Sequence, residues 1–398
     1  MRNTIKLSVD QAEALKEMLA WVDDPKRQVM TFGGYAGSGK STLIREFVNR
    51  VGAQRVQVAS YTGKAVSVLR SKGLVQARTL HNLLYRPVGE DDETGDVIFQ
   101  AKSRIDGDLV VVDEASMVND RLHRDLLSVA AKVLYVGDHG QLEPIGGNPG
   151  LMKNPDIRLE KIHRQAASSP ILPFAHALRE GVEPLSYVPL CLGCQDLGRK
   201  GACPEHGASM RVDNRWPQDL HKYDAVIVAK NAYRRYLNNH IREMRKFEGP
   251  IPCPGEILIC LANNKDLGIF NGLQIEVIHF TKTSDLQGLV TFQEETSGIM
   301  RHVPLWLPQL GSTEQYQRDG DIWQNYGLFD WGYALTAHKS QGSQWKRGCV
   351  IEKDMPHNWN LPRWRYTAAT RFSEELFYVV EGRKKNENDD RVREQRLL

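Results

Sequence analysis

Long apolar runs are missing from this chain of 398 residues. No stretch approaches the ~18 consecutive apolar residues that a membrane-spanning helix needs. The opening residues, MRNTIKLSVDQAEAL, also lack the apolar core of a secretory signal. We therefore expect a cytoplasmic protein with no membrane partner.

Cysteine and net charge are also scarce. The chain has six cysteines, and 52 basic residues stand against 49 acidic ones, a net charge of +3. In the cytoplasm, cysteines are expected to be reduced or bound to metal, so a disulfide framework is not predicted. The balanced charge neither requires nor excludes a polyanionic partner, and any basic surface must be local. The chain contains no internal repeats.

Short apolar strands alternate with helical patterns in the first half of the chain. The strands are QVMTFGG, RVQVAS, DLVVVDE and KVLYVGD. Such alternation predicts a parallel sheet with helices on both faces. A second region of the same kind includes YDAVIVAKN and returns at DWGYALTAHKSQG and RWRYTAATRF, while residues 250–310 are strand-like and punctuated by glycine. The sequence thus predicts an α/β protein with two parallel-sheet units and a small inserted β module.

The stretch GGYAGSGKSTL matches the phosphate-binding pattern G-x-x-x-x-G-K-[ST] between a strand and a helix. Glycines allow backbone N–H groups to close on phosphates, and the helix N-terminus adds positive potential. Lys40 is expected to reach the β- and γ-phosphates, and Ser41 to hold Mg²⁺. The predicted nucleotide-binding residues of this loop are Gly34, Ala36, Gly37, Ser38, Gly39, Lys40, Ser41 and Thr42.

Two adjacent carboxylates end the buried strand LVVVDE. Burying them is costly, which favours a functional role. Asp113 is placed to hold Mg²⁺ directly or through water, and Glu114 is the natural base for an attacking water. Together with the phosphate loop, these residues predict hydrolysis of a nucleoside triphosphate.

Several further stretches follow in the order of the motifs of superfamily 1 helicases. They are LSVDQAEAL, SYTGKAVSVL, RTLHNLL, VVDEASMV, VGDHGQLEPI, LEKIHRQ, GYALTAHKSQGSQW and RYTAATR. The chain resembles this family, and the forms IHRQ and T-x-H-K-S-Q-G resemble its RecD/Dda-like branch. The resemblance implies two RecA-like P-loop domains and an ATP-dependent DNA helicase that moves 5′ to 3′ on single-stranded DNA. It also implies that Gln11 reads adenine.

A motor of this kind needs cationic groups from the second domain aimed at the γ-phosphate. Arg164 and Arg371 lie within matching motifs and are the candidate arginine fingers; a surface ion pair is the alternative for either one. Asp138 and Gln141, after the strand KVLYVG, are expected to sense the γ-phosphate. The predicted catalytic set is Lys40, Glu114, Gln141, Arg164 and Arg371.

The track for single-stranded or forked duplex DNA is expected to cross both domains. Backbone N–H groups, basic side chains and aromatic rings suit sequence-independent binding. The candidates are Thr62, Gly63, Lys64, His81, Asn231, Thr336, His338, Lys339 and Gln341. The basic stretch KNAYRRYLNNHIREMRK suits a polyanion, although a solvated helix face explains it equally well.

The predicted domain plan follows the motif positions. The first RecA-like domain spans 1–157, with a hairpin insert at about 85–105 where the branch carries its strand-separating pin. The second spans 158–249 and 328–385, around an SH3-like β insert at 250–327, and 386–398 form a charged tail. A surface excursion without function is the alternative for the hairpin.

A cysteine-bearing segment at about 183–217 departs from the family pattern. Cys191, Cys194, Cys203 and His206 follow C-x2-C-x8-C-x2-H, which allows one tetrahedral, structural Zn²⁺. A polar loop with free thiols is the alternative. The scattered Cys253, Cys260 and Cys349 are expected to be small buried hydrophobes.

Two other functions stay open. One keeps the motor without unwinding, as a DNA-stimulated translocase that strips proteins from DNA. The other is a P-loop switch without a nucleic-acid role. We expect a monomer, dependent on ATP and Mg²⁺, in DNA replication, repair or recombination, with a possible protein partner from those processes.

Overall fold

A computed structural model describes residues 7–90, 97–144, 147–161, 169–187, 209–264, 266–294, 298–312 and 320–381. In the first half, the strands are β1 Val29–Gly34, β2 Val56–Ser60, β3 Arg78–Thr79, β4 Tyr85–Glu90, β5 Val97–Ala101, β6 Leu109–Asp113, β7 Lys132–Gly137 and β8 Ile157–Leu159. The helices are α1 Val9–Val22, α2 Lys40–Val51, α3 Gly63–Ser71, α4 Leu80–Leu84 and α5 Asp120–Val129.

Six of these strands form one parallel sheet in the order β3-β2-β6-β7-β1-β8. Side chains along β6 alternate between two separate cores: Leu109 and Val111 face one, and Val110 and Val112 face the other. A strand that is covered on both faces needs an apolar residue at every position, because its side chains alternate between the two faces. The expected parallel sheet is confirmed, and its strand ends carry the loops of the candidate site.

A two-stranded antiparallel sheet lies between β3 and β6 in the chain. Strands β4 and β5 pair antiparallel, from Tyr85 opposite Ala101 to Glu90 opposite Val97. Lys102 ties its base to α4, because its ammonium donates to the carbonyls of Asn82 and Leu83, each at 3.0 Å. The tip, residues 91–96, lies outside the described part of the chain.

In the second half, the strands are β9 Ser209–Asp213, β10 Ala225–Val228, β11 Ile257–Cys260, β12 Gln274–Glu276, β13 His279–Lys282, β14 Gln287–Gln293, β15 Met300–Trp306, β16 Phe329–Trp331, β17 Ala334–Thr336, β18 Trp345–Glu352 and β19 Phe372–Val380. The helices are α6 Ile171–Arg179, α7 Asn231–Met244, α8 Gly320–Asn325 and α9 Leu361–Ala369.

A second parallel sheet has the order β17-β10-β18-β19-β9. It too is covered on both faces, since Val226 and Val228 of β10 face one core while Ala225 and Ile227 face another. Val228 lies in register with Thr336, so β10 and β17 end at the same edge. The helix and loop that follow these strands therefore begin side by side.

Two three-stranded antiparallel sheets make up the inserted β module. Their orders are β12-β11-β16 and β13-β14-β15. They share one core with a face of the second parallel sheet, through residues such as Leu258, Phe292 and Leu305. The module thus packs on the second sheet and does not stand apart from it.

Three predicted boundaries need correction. The division after residue 157 cuts through β8, which pairs with β1 and belongs to the first sheet. Strand β9 lies inside the region assigned to the cysteine-bearing insert, yet it pairs with β19 as an edge strand of the second sheet. Strand β16 was assigned to the second domain but pairs with β11 of the inserted module. All three depend on pairing with distant strands, which local sequence pattern does not reveal.

Among the described residues, no helix is both long and apolar enough to cross a membrane. Cys260 and Cys349 are fully buried and Cys253 is half-buried, so two of the three scattered cysteines are the small core residues that were expected.

Candidate active site

The phosphate loop joins the end of β1 to the start of α2. Gly37 and Gly39 adopt left-handed φ angles of 81° and 87°, which glycine accepts without strain. At Gly34, a Cβ would lie 2.6 Å from the hydroxyl of Ser38, so the turn has no space for a side chain. The ammonium of Lys40 lies inside the loop and donates to the carbonyls of Gly34 at 2.6 Å and Tyr35 at 3.0 Å. The loop therefore has the shape that a phosphate cradle needs.

Two observations support phosphate as the group that this loop holds. The hydroxyl of Ser38 is buried and has no hydrogen-bond partner among the described residues. It is therefore free to donate to an oxygen that enters the loop. The loop also ends at the N-terminus of α2, where backbone N–H groups and the helix dipole favour an anion.

Gln11 connects α1 to the phosphate loop. Its side chain accepts from the backbone N–H of Ser8 in a capping box. Its amide donates to the carbonyl of Ser38 at 3.2 Å. The residue predicted to read adenine thus lies against the loop and is 6% exposed.

Asp113 is the last residue of β6, and Glu114 follows it directly. Both belong to the first-half side of the cleft between the two parallel sheets. Glu114 has φ of 56°, a left-handed conformation that is costly for a residue with a side chain and that occurs most often at functional sites. Burial raises the pKa of Asp113, and the positive charge of Lys40 opposes this. Burial, followed by the charge of Asp113, raises the pKa of Glu114 to about 7, while Arg371 and Lys40 act in the opposite direction. A carboxyl group with a pKa near neutrality is well matched to the role of a general base.

The predicted Mg²⁺ donors, Ser41 and Asp113, supply a hydroxyl and a carboxylate. Hard oxygen ligands of this kind suit Mg²⁺. Lys72, which caps the end of α3, places its ammonium 3.1 Å from the Ser41 hydroxyl. Its charge also lowers the pKa of Asp113, so the same cation acts on both donors. The chemistry of the donor pair fits the ion, and Lys72 is a neighbour that the sequence did not indicate.

Arg371 reaches the cleft from the second half of the chain. It is 5% exposed and follows α9. Its guanidinium donates to the carbonyl of Thr367 at 3.0 Å, the carbonyl of Ser343 at 3.2 Å and the hydroxyl of Thr370 at 3.1 Å. Its charge acts on Glu114 across the cleft. The three bonds hold the guanidinium in place near enough for its charge to lower the pKa of Glu114, and its role as an arginine finger stays a prediction.

Asp138 and Gln141 lie in the loop after β7, and both are buried. Asp138 accepts from the backbone N–H of Gly140 and from the hydroxyl of Tyr366, each at 2.8 Å. The Oε1 atom of Gln141 is buried with no partner among the residues that the structure describes, which leaves it available to a group in the cleft.

Helix α9 holds this loop through one of its faces. Arg363 donates to the carbonyl of Gln141 at 3.1 Å. The hydroxyl of Thr367 accepts from the backbone N–H of Leu142 at 2.9 Å. Gln341 adds a bond from the loop after β17 to the carbonyl of Leu142, at 3.3 Å. The two halves are therefore joined at the loop that was predicted to sense the γ-phosphate.

Tyr35 of the phosphate loop is surrounded by side chains from both halves. Its ring centroid lies 4.2 Å from that of His139 and 4.6 Å from that of His176. Arg179 stacks on the ring at 4.5 Å and donates to the Tyr35 hydroxyl. Burial lowers the pKa of His139 to about 4, so its imidazole is neutral at pH 7. These contacts fix the first residue of the loop against α6.

Comparison with known proteins shows which proteins this chain resembles. Residues 6–188 match the family model of an AAA domain. The ATP-dependent RecD2 DNA helicase of Deinococcus radiodurans is 29% identical over 402 residues, which cover 93% of this chain and 48% of that protein. A solved structure of Pif1 helicases that unwind forked double-stranded DNA aligns with this chain with a TM-score of 0.58 at 16% identity. The alignment covers 94% of this chain and 92% of that one. Bacteroides Pif1 bound to single-stranded DNA aligns with a TM-score of 0.56 at 17% identity and the same coverage.

These likenesses agree with the resemblance to RecD/Dda-like helicases that the sequence motifs indicate, since residues 6–188 match an AAA domain and a RecD2 DNA helicase is a homologue over most of the chain. The two Pif1 likenesses show a common α/β fold built on a parallel-sheet P-loop core. The chain spans about half the length of RecD2.

The predicted nucleic-acid groups of the first half lie around the start of α3 and on α4. Thr62 caps that helix, its hydroxyl accepting from the backbone N–H of Ala65. A Cβ on Gly63 would lie 2.2 Å from the ring of Phe270, so the inserted β module touches this helix end. His81 is exposed on α4, with Tyr61 and Tyr85 beside its ring. Although the residue as a whole is exposed, partial desolvation of its ring, followed by the charge of Arg121, lowers its pKa.

The groups of the second half occupy the edge where β10 and β17 end. Asn231 is exposed at the start of α7. The hydroxyl of Thr336 accepts from the backbone N–H of Lys339 at 3.4 Å and so shapes the loop. The ring of His338 packs against Trp359 at 5.4 Å. Thr336 and Gln341 are both buried, and Gln341 differs from the other residues of the group because it bonds to the carbonyl of Leu142 in the first half.

Several predicted site residues lie outside the described ranges. They are Arg164, in 162–168, and the candidate zinc ligands Cys191, Cys194, Cys203 and His206, in 188–208. The charged tail at 386–398 is also outside them. Within the described residues, no group of three or more His, Cys, Asp or Glu side chains is placed to hold a metal ion.

Sequence reasoning missed the residues that join the two halves. They are Tyr35, Leu142, Arg179, Arg363, Tyr366 and Thr367; Lys72, which lies beside Ser41 within the first half, was missed as well. The signal for three of them was present, since Arg363, Tyr366 and Thr367 are spaced i, i+3 and i+4 on one helix face next to the predicted finger Arg371. Arg179 and Lys72 had no comparable signal.

Proposed function

We propose that this chain hydrolyses ATP between its two parallel sheets and uses the cycle to move 5′ to 3′ along single-stranded DNA and unwind duplex DNA ahead of it. One observation carries the proposal. A phosphate loop and a raised-pKa carboxylate from one sheet face a fixed guanidinium from the other. A nucleotide in that cleft touches both halves, so its hydrolysis changes how they fit together.

The residues divide the chemistry as follows. Lys40 and the loop amides bind the phosphates, and Gln11 lies beside the loop to orient the base. Glu114 accepts a proton from the attacking water. Ser41 and Asp113 would hold Mg²⁺, which supplies charge neutralisation on the β- and γ-oxygens when bound. Arg371, with Arg164 as its predicted partner, stabilises charge on the transferring phosphoryl group, and Asp138 and Gln141 respond to that group.

The DNA path proposed here crosses the edge at which α3, α7 and the loop after β17 begin. Backbone N–H groups at the starts of α3 and α7 suit contacts with phosphate. Thr62, Gly63, Lys64 and His81 line the first half, and Asn231, Thr336, His338 and Lys339 line the second. Of the structurally similar Pif1 helicases, one is bound to single-stranded DNA and another unwinds forked double-stranded DNA, which supports these ligands for this chain.

We assign the parallel sheets to two RecA-like domains, with the first ending after β8. The antiparallel strands β11 to β16 then form the SH3-like insert, and the β4–β5 hairpin forms the strand-separating pin. Contact between Phe270 of the insert and Gly63 of α3 supports a role for the insert in shaping the DNA path.

The decisive experiment compares ATP hydrolysis with and without a single-stranded oligonucleotide, beside unwinding of forked duplexes with a 5′ or a 3′ tail. We expect strong stimulation by DNA and unwinding only from the 5′ tail, with Lys40→Ala inactive in both assays. Absence of stimulation in the wild type would reject a nucleic-acid motor and favour the P-loop switch. Stimulation without unwinding would favour the translocase.

The pin assignment has its own test. Deleting residues 89–95 removes the hairpin tip and leaves the base of β4 and β5, with its Lys102 contacts, in place. We expect unwinding to be lost and DNA-stimulated ATP hydrolysis to remain. Unwinding at the normal rate would show that the hairpin is a surface excursion.

We also propose that Cys191, Cys194, Cys203 and His206 hold one structural Zn²⁺. Metal analysis of protein purified without chelator tests this, with Cys203→Ser expected to lose the metal and Cys253→Ser to keep it. Zinc-free wild-type protein would end the proposal.

A further inference from the structure

Tyr366 makes a bridge across the cleft that no predicted role includes. It lies on α9, in the second half, and is fully buried. Its hydroxyl donates to Asp138 at 2.8 Å and accepts from the backbone N–H of Ala36 at 3.0 Å. One side chain of the second half therefore contacts both the phosphate loop and the loop after β7.

The direction of each hydrogen bond is fixed by chemistry. A tyrosine hydroxyl carries one proton and can also accept. The Ala36 amide can only donate, and an ionised Asp138 can only accept, so the proton of Tyr366 must point to Asp138. Burial and the nearby Asp138 raise the pKa of Tyr366 well above its ordinary value, which keeps that proton in place. Phenylalanine at this position would lose both bonds.

Helix α9 carries this bridge to the candidate finger. Arg371 follows the helix, and its guanidinium donates to the carbonyl of Thr367, the residue after Tyr366. Thr367 itself holds the backbone N–H of Leu142. If the Ala36 amide moves and Tyr366 moves with it, α9 transmits that movement to the groups that hold Arg371 in place.

We infer that Tyr366 is a positioning residue that couples the state of the phosphate loop to Asp138 and, through α9, to Arg371. The inference deepens the proposed function and rests on it for its meaning in a motor. The consequence to be measured does not require DNA. Nucleotide bound at the phosphate loop should change the hydrogen-exchange protection of α9, and this change should depend on the Tyr366 hydroxyl.

The test compares Tyr366→Phe with Tyr378→Phe in the full chain. Tyr378 is a matched control, since it is also fully buried in the second half and donates to a carboxylate, Glu352, at 2.8 Å. Three quantities are measured: the Kd of a fluorescent ADP, kcat and KM for ATP, and hydrogen exchange of residues 361–369 with and without ADP. Losing a hydrogen bond to a charged group corresponds to about a tenfold change.

We expect Tyr366→Phe to bind ADP within about threefold of the wild type, because Lys40 and the loop amides are untouched. Its kcat should fall about tenfold, and the ADP-dependent protection of residues 361–369 should disappear. Tyr378→Phe should retain both kcat and the protection. Full retention of both by Tyr366→Phe would overturn the inference, as would a loss of both in Tyr378→Phe.

A wild-type measurement keeps the inference testable if Tyr366→Phe does not fold. ADP should slow exchange in residues 361–369 of the wild type, and no change there would overturn the coupling. None of these measurements uses DNA. A wild type that shows the exchange response but no DNA stimulation would therefore refute the proposed function and leave the role of Tyr366 supported.

Discussion

Replacing Glu114 with glutamine should stabilise the protein while it removes activity. Glu114 is half-buried beside Asp113, and its pKa is raised from 4.5 to about 7, chiefly by desolvation. The folded state therefore holds this proton more tightly than the unfolded chain does. Above pH 7 the folded protein must bear a buried charge that the unfolded chain exposes to water, and glutamine has the same shape without the charge.

The size of the effect follows from the two pKa values. A difference of about 2.5 pKa units corresponds to about 3 kcal/mol of folding free energy at pH 8. As pH falls, the folded state takes up the proton first, so the penalty falls to about 1 kcal/mol at pH 5. The gain from Glu114→Gln should follow the same course, largest above pH 7 and small near pH 5.

The assay is thermal unfolding of both proteins between pH 5 and pH 8, without nucleotide or divalent cation. At pH 8 we expect the Tm of Glu114→Gln to exceed that of the wild type by several degrees, since 1 kcal/mol moves Tm by about 2–4 °C in a domain of this size. Glu17→Gln, on the exposed side of α1, serves as the control and should show no pH-dependent gain. ATP hydrolysis should be lost in Glu114→Gln alone.

A Tm of Glu114→Gln equal to or below the wild-type value at pH 8 would refute the reasoning. A gain of the same size at every pH would also refute it, because the effect would then come from packing and not from the titration of Glu114. The activity loss alone decides nothing here, since any damage to the cleft produces it.

Three further changes test other parts of the structure. Arg371→Lys should lower kcat nearly as much as Arg371→Ala, about 10³-fold with a similar KM, because lysine cannot reproduce the three bonds that fix the guanidinium; steady-state kinetics measures both. Gly348→Ala should lower the free energy of unfolding by about 1–3 kcal/mol, since the added Cβ would lie 1.7 Å from the ring of Phe372. Denaturant unfolding measures this change. Lys72→Ala should lower the Mg²⁺ concentration needed for ADP binding about fivefold, because the substitution removes the positive charge beside the Ser41 hydroxyl. Titration of fluorescent ADP binding with Mg²⁺ measures this, with Lys16→Ala as the control.

Sequence reasoning found the parts of the cleft that depend on local order. The phosphate loop needs its glycines, Lys40 and Ser41 within a few residues between a strand and a helix, and the structure places them so. Asp113 was predictable as the polar end of an apolar strand for the same reason. The interiors of β6 and β10 also indicated sheets covered on both faces, because LVVV and AVIV are apolar at every position.

Pairing between distant segments could not be predicted in this way. Strand β8 has three residues, too few for a periodic signal, and its place beside β1 is set by the first sheet and not by its own sequence. The same holds for Tyr366, whose partners Ala36 and Asp138 lie more than 200 residues earlier. Its sequence context marks a buried helix residue and does not distinguish a core tyrosine from a bridging one.

The charges of the cleft give a physical reason for hydrolysis to depend on the second half. Burial and Asp113 favour the protonated, inactive form of Glu114, while Lys40 and Arg371 favour the ionised form that can accept a proton. Lys40 belongs to the first half and is always present, but Arg371 is brought to the cleft by α9. If Arg371 is removed while Glu114 stays buried, its pKa must rise. The residual hydrolysis of Arg371→Ala should therefore need a higher pH than that of the wild type, because the arginine that we propose to stabilise the phosphoryl group would also keep the proposed base ionised.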